Sequence, residues 1–274
     1  MLRFICFGSG SSGNCYFLYT ENDGLMIDVG IGVRALKKNL HQYGLKLPQI
    51  KHIILTHDHA DHVKSVGSLS HELNIPVYST KLVHEGIMRN YCVRHKIDRQ
   101  NIKFIEKGSS FTLGDFQIFP FNVPHDSADN VGYLIKCEGV NFCIITDAGH
   151  VTDEIQYGIN QANYLVLEAN HDMEMLLNGP YSAFLKKRIS SMYGHLSNED
   201  CAKALAENAS LGLKQVWLCH LSEENNHPEL ARITVVQILR NYGIVAGADF
   251  KVEVLKRKSP SGIFDLFQVP PTDE

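Results

Sequence analysis

The run Thr56-His57-Asp58-His59-Ala60-Asp61-His62, set directly behind the apolar triplet Ile53-Ile54-Leu55, constrains this chain more than any other feature. The triplet reads as a short buried strand. In an extended segment side chains two apart point the same way, so His57 and His59 face one point. On an α-helix the same pair would be splayed by roughly 200°. The chain then turns, and Asp61 and His62 are adjacent but diverge. That placement suits two neighbouring metal ions, with His57 and His59 serving one and Asp61 and His62 the other.

Single ligand-type residues recur at other expected strand ends. His125 follows the β-prone run 116–123, Asp147 closes Phe142-Cys143-Ile144-Ile145-Thr146, and His220 closes Val216-Trp217-Leu218-Cys219. Apolar runs predict further strands at 2–7, 15–19, 25–28, 76–79, 131–137 and 164–167. Helical periodicity marks 33–43, 63–73, 181–193, 198–210 and 229–242. Ser197, with Asp200 three residues on, has the pattern of a helix N-cap with an acidic first turn. Strand runs in both halves, each followed by helices, fit two packed sheets with helices outside. No low-complexity linker or solenoid-length repeat divides the sequence, so a single domain over 1–274 is expected.

The 26 basic and 30 acidic side chains give a net charge of -4, which argues against a strongly basic nucleic-acid coat. Local grips remain open at Lys186-Lys187-Arg188, at Arg94-His95-Lys96 with Arg99, and at Lys256-Arg257-Lys258. Seven cysteines are scattered with no C-x-x-C pair, which predicts reduced, buried thiols and a cytoplasmic protein. The N-terminus reaches Gly8 and Ser9 before a signal-peptide core develops, and no apolar run approaches 18 residues, so no membrane association is expected.

In this order, Asp28, then His57, His59, Asp61 and His62, then His125, Asp147 and His220 resemble the five motifs of the metallo-β-lactamase superfamily. The resemblance implies an α+β chain folded as a four-layer αβ/βα sandwich, with the site at the edge where the two sheets meet. It implies two divalent ions, zinc or manganese with iron also compatible. One would take His57, His59 and His125, the other Asp61, His62 and His220, with Asp147 bridging and Asp28 orienting the ligands from behind. Lactamases tend to lack the Asp61 ligand.

Gly194-His195-Leu196-Ser197, followed by His220-Leu221-Ser222, is similar to the phosphodiesterase branch of that superfamily. There the earlier histidine lies beside the scissile phosphate, so His195 and Asp61 are the expected catalytic groups. The run from Gly8 to Asn14, Leu167-Glu168-Ala169-Asn170-His171-Asp172 and Gly194-His195-Leu196-Ser197-Asn198 together resemble the YycJ/WalJ family of bacteria. That resemblance implies a 5′-to-3′ exonuclease on double-stranded DNA. Glu168 and His171 are expected behind the site, and Ser9, Ser11, Ser12 and Asn14 beside a bound phosphate. His150 is a weaker candidate. The alternative is a hydrolase of a small phosphodiester, such as a cyclic nucleotide, or of a thioester. A diiron redox protein would carry a carboxylate in place of an early histidine.

Overall fold

A computed structural model describes residues 1–267. The first half of the chain lays down β1 (Leu2–Gly8), β2 (Cys15–Tyr19), β3 (Gly24–Ile27), β4 (His52–Ile54), β5 (Val77–Ser79) and β6 (Ile102–Phe104). The second half lays down β7 (Phe111–Leu113), β8 (Phe116–Asn122), β9 (Val131–Cys137), β10 (Val140–Ile145), β11 (Tyr164–Glu168), β12 (Gln215–Cys219) and β13 (Lys251–Val254). The last described strand, β14 (Ile263–Leu266), returns to pair with β1. The sheets run β14-β1-β2-β3-β4-β5-β6 and β13-β12-β11-β10-β9-β8-β7.

Each sheet is built in the same two parts. β14 to β3 and β7 to β10 pair antiparallel, while β3 to β6 and β10 to β13 pair parallel. The strands alternate two buried faces. Phe4 and Cys6 of β1 and Phe142 and Ile144 of β10 meet in the core between the sheets. Ile5 and Phe7 turn the other way and pack under α1 (Val33–Gln42), α3 (Val66–Leu73) and α4 (Lys81–Arg89). Cys143 and Ile145 turn outward against α5 (Asp153–Gln161), α8 (Asn198–Asn208) and α9 (Pro228–Asn241). Because both faces are covered, these strands read as continuous apolar runs. The layer order is helices, sheet, sheet, helices, the αβ/βα sandwich expected from the sequence.

The remaining helices are short and lie at one end: α2 (Ala60–Val63), α6 (Met173–Asn178) and α7 (Ala183–Ile189). They occupy the end at which the parallel strands finish. In open α/β sheets that is where ligands gather. The predicted helix 63–73 is two helices, broken at Lys64–Ser65, and the predicted helix 181–193 is only the seven residues of α7. Ser197 caps α8 as expected, accepting from the Asp200 amide. All seven cysteines are free thiols. No described helix is long and apolar enough to cross a membrane.

Gly30 is the tightest backbone contact beneath the histidine run. A methyl group there would overlap the Asp61 carbonyl, whereas one at Gly32 would meet nothing within 4 Å. Gly30→Ala is therefore expected to lower the unfolding midpoint by several degrees, about 1–3 kcal/mol of overpacking. It should also lower metal content. Gly32→Ala should change neither, and calorimetry with elemental analysis of both variants checks the contrast.

Candidate metal centre

Among the described residues, four non-glycine residues leave their strands with a left-handed backbone; Glu138 turns the β9–β10 hairpin, and the other three are expected site residues. Asp28 follows β3 with φ of 59°, Asp147 follows β10 with 55°, and His220 follows β12 with 51°. Asp, Asn and His tolerate this conformation best among side-chain-bearing residues. The turn stops each strand abruptly and throws its side chain over the sheet end. Thr56 and His57 sit at the matching end of β4, Glu168 closes β11, and His125 comes three residues after β8.

The side chains converge as two overlapping donor sets. His57, His59 and His125 form one, and Asp61, His62 and His220 form another, with ligand atoms within 4.8 Å in each. His59 Nδ1 lies 3.3 Å from His125 Nε2, and Asp61 Oδ2 lies 3.3 Å from His220 Nε2 and 3.6 Å from His62 Nε2. Asp147 stands between the sets, Oδ1 3.7 Å from His125 Nε2 and Oδ2 3.2 Å from His62 Nε2. A further grouping of Asp147, Glu168, His195 and His220 is equally close. There, however, both imidazoles turn Nδ1 to the same glutamate oxygen, which is the outward side of His220.

Each imidazole of the two sets is held from behind through its other nitrogen. His57 Nδ1 bonds Thr56 Oγ1 at 3.1 Å, and His62 Nδ1 donates to Asp28 at 2.7 Å. His125 Nδ1 donates to the Gly194 carbonyl at 3.0 Å, and His220 Nδ1 donates to Glu168 at 2.9 Å. His59 Nε2 faces the Asp126 carbonyl at 3.3 Å. Such outer partners fix ring orientation and leave the inward nitrogen free to ligate. The fit to a metal is sharpest at His57. Its Nε2 is buried in the centre with no hydrogen-bond partner in the protein. An orphaned buried nitrogen is costly unless a ligand takes it.

The electrostatics divide along the same lines. Burial holds the His57 and His125 imidazoles below their ordinary values, so they stay neutral. At His62 burial works the same way, but Asp147, Asp28 and Asp61 outweigh it and push the ring up to about 10. His220 is raised well above its ordinary value by Asp147, Asp61 and Glu168, again against burial. Burial favours protonation of Asp147, but His220, His62 and His57 hold it well below the usual carboxylate range. In the metal-free protein, protons on His62 and His220 thus balance buried carboxylates.

Several expected contacts have other duties. Ser9 Oγ accepts from the His220 amide at 2.9 Å and meets Tyr16 OH at 3.0 Å. Asn14 accepts from the Gly10 amide and turns Nδ2 to His62 Nε2 at 2.8 Å and to Asp61. Ser11 and Ser12 are exposed on the same loop. His171 is buried with neither ring nitrogen hydrogen-bonded, and burial lowers it to about 4. His150 bonds the Met192 carbonyl at 2.8 Å.

The sequence reading passed over Thr56, Asp126 and Asn130. Thr56 receives nothing from the motif beyond its position, yet it bridges Asp28 and His57. Asp126 supports His59 through its carbonyl and binds Arg188 through its carboxylate. Its place beside His125 was the one available signal. Asn130 donates to the Asp147 carbonyl at 2.9 Å, and nothing in the sequence marks it.

Ligation needs the inward nitrogen of His62 and His220 without its proton. Metal uptake should therefore release protons, and affinity should fall as pH falls. Between about pH 7 and 10, where the metal-free His62 keeps its proton, affinity should rise by about a decade per unit for each proton displaced. Isothermal titration in buffers of different ionisation enthalpy measures the release. Thr56→Val should weaken metal binding by about 10- to 100-fold, read by chelator competition, because it removes the partner of His57 Nδ1.

A sequence profile of the beta-lactamase superfamily domain matches residues 24–221. Among curated proteins, the chain is 34% identical over 262 residues to exodeoxyribonuclease YycJ of Bacillus anthracis, covering 96% of this chain and 98% of that one. It is 35% identical over 250 residues to exodeoxyribonuclease WalJ of Streptococcus pneumoniae, covering 91% and 93%. Among solved structures, the metallo-β-lactamase fold protein YhfI of Bacillus subtilis superposes with a TM-score of 0.69 at 16% identity, over 94% of this chain and 98% of that one. The profile spans the strand-end residues from Asp28 to His220, and the kinship extends through both sheets. The chain therefore belongs to the metallo-β-lactamase superfamily and, within it, to the family of the YycJ and WalJ proteins.

Proposed function

We propose that the chain is a two-metal phosphodiesterase that digests double-stranded DNA from 5′ ends in the cytoplasm. His57, His59 and His125 would hold one divalent ion, zinc or manganese, and Asp61, His62 and His220 the other, with Asp147 shared. Bound there, the ions would supply positive charge for the phosphate oxygens and a hydroxide at neutral pH. The DNA substrate is supported by kinship over nearly the whole chain with two exodeoxyribonucleases.

The observation that carries phosphodiester chemistry is the pairing of His195 with Glu168. His195 Nδ1 donates to Glu168 Oε1 at 2.8 Å. The same oxygen receives His220 Nδ1, while Oε2 receives the amides of Ala148 at 2.8 Å and Leu196 at 3.2 Å. Glu168 is fully buried and cannot turn away. Burial disfavours the charged His195, but Glu168 and Asp147 outweigh it and hold the ring above its ordinary value. With Nδ1 fixed on the carboxylate, Nε2 is the group left to donate a proton to the departing oxygen of the cleaved ester.

The test is digestion of an end-labelled linear duplex by the purified protein with manganese and with chelator. Chelator-sensitive release of mononucleotides from the 5′ end is expected. An intact duplex with metals confirmed in place would reject the DNA reading and direct assays to small phosphodiesters and thioesters. His195→Ala should keep its metals while the rate falls about 100-fold or more, the scale of general-acid catalysis. Loss of metal in that variant would make His195 a ligand instead. Asp147→Ala should lose metal and activity together, and full activity in it would refute the shared ligand.

A further inference from the structure

Between β11 and α8 the chain makes an excursion, residues 173–194, that carries α6 and α7 and ends on His195. It is fastened to the centre at four points. The His195 amide bonds the Ile189 carbonyl at 2.9 Å, and the Gly194 carbonyl receives His125 Nδ1 at 3.0 Å. The Met192 carbonyl receives His150 Nδ1 at 2.8 Å, and Arg188 pairs with Asp126, whose carbonyl faces His59. Where Gly149 passes beneath, a methyl group would collide with Met192.

An element fastened this closely would ordinarily bury its apolar side chains. This one buries Leu176 but leaves others exposed. Phe184 is 81% exposed, Met192 64% and Tyr193 60%. Phe184 lies one helical turn before Arg188, so both sit on one face of α7. Arg188 reaches Asp126 beside His125, which places that face along the rim of the centre. Tyr193 comes two residues before His195. The segment's charges are Lys186, Lys187 and Arg188 against one carboxylate, Glu174, in a chain of net charge -4. Exposed rings interleaved with cations are the makeup of surfaces on which unpaired bases stack while the backbone is held electrostatically.

The centre itself creates the need for such a surface. His57 and His62 are wholly buried at the sheet ends. A single strand reaches down to them more readily than an intact duplex end. The terminal pair then opens, and the freed base loses its stacking partner. We propose that Phe184 and Tyr193 form a stacking platform for the unpaired terminal nucleotide of the strand being cut, with Lys187, one turn after Phe184 on the same face, holding its phosphate. This rests on the DNA reading above and names how that substrate is engaged. Phe184 and Tyr193 are positioning residues and touch no reacting atom.

The test compares Phe184→Ala, Tyr193→Ala and the double variant with the parent chain, all at measured metal content. Two duplexes serve as substrates, one with an ordinary terminal nucleotide and one whose terminal nucleotide is abasic. With a base to stack, kcat/KM should fall by roughly 5- to 150-fold per ring lost, the span of base–aromatic stacking. On the abasic end the same variants should lose far less. Equal losses on both ends would assign the rings a structural role and overturn the platform. Unchanged digestion would overturn it too, whether or not the variants lose affinity for anionic vesicles or change in sedimentation. If the parent chain digests neither duplex, the DNA reading itself fails, which is a distinct outcome.

Discussion

Four carboxylates, Asp28, Asp61, Asp147 and Glu168, converge on one end of the sandwich, and three of them are almost wholly out of water. Burying one such charge costs several kcal/mol unless it is paired and fully hydrogen-bonded. The surroundings meet this demand at every position. Asp28 receives the Thr56 amide and hydroxyl and the His62 ring. Glu168 receives two rings and two amides. Asp147 receives the Thr146 hydroxyl and faces His62 and His220. The centre is thus a place where positive charge is required. Protons on His62, His195 and His220 meet that need in one state, and divalent ions would meet it in the other. The same charge balance would favour retention of divalent ions.

The convergence of candidate donor residues was legible because it follows rules that act locally. Period-two alternation put His57 and His59 on one side, and a ligand-type residue after an apolar run marked each strand end. The strands themselves were legible where both faces are buried, as in β9 and β10. Elements whose pattern depends on distant partners were not. β14 pairs with β1 across almost the whole chain, and its Ile263-Phe264-Asp265-Leu266 stretch gains a strand partner only there. α5 was hidden because Ile155 and Ile159 leave one narrow apolar face, completed by α8.

The support shell was the least legible part. Glu168 was expected behind the site, but its role as a hub depends on groups from Ala148, His195, Leu196 and His220. These lie 20 to 52 residues away. Ser9 and Asn14 looked like open donors because a serine- and glycine-rich loop ordinarily faces solvent. The loop instead folds under the His62–Asp61 turn, and the Asn14 amide bonds the Asp61 carbonyl at 2.7 Å. That contact, with the bond from the His220 amide to Ser9 Oγ, makes both residues parts of the frame.

The left-handed strand ends explain why this frame is built as it is. Holding a non-glycine residue there costs about 1–3 kcal/mol, and Asp28, Asp147 and His220 each bear that cost. Glycine would relieve it at all three positions. Glycine would also remove the carboxylate or imidazole that the turn is there to aim. The turn lets a short strand end abruptly while its last side chain still points over the sheet edge. Strands from two sheets can then contribute donors to a space a few ångströms wide. The strain is local and so are the bonds that offset it: Thr56 to Asp28, Asn130 to the Asp147 carbonyl, and Asn170 to the His220 carbonyl. Each of these three residues has a dedicated partner a short way off in space and 17 to 50 residues off in sequence. Stability at this end of the molecule is therefore tied to the same residues as the chemistry, while the helices outside the sandwich are free of that demand.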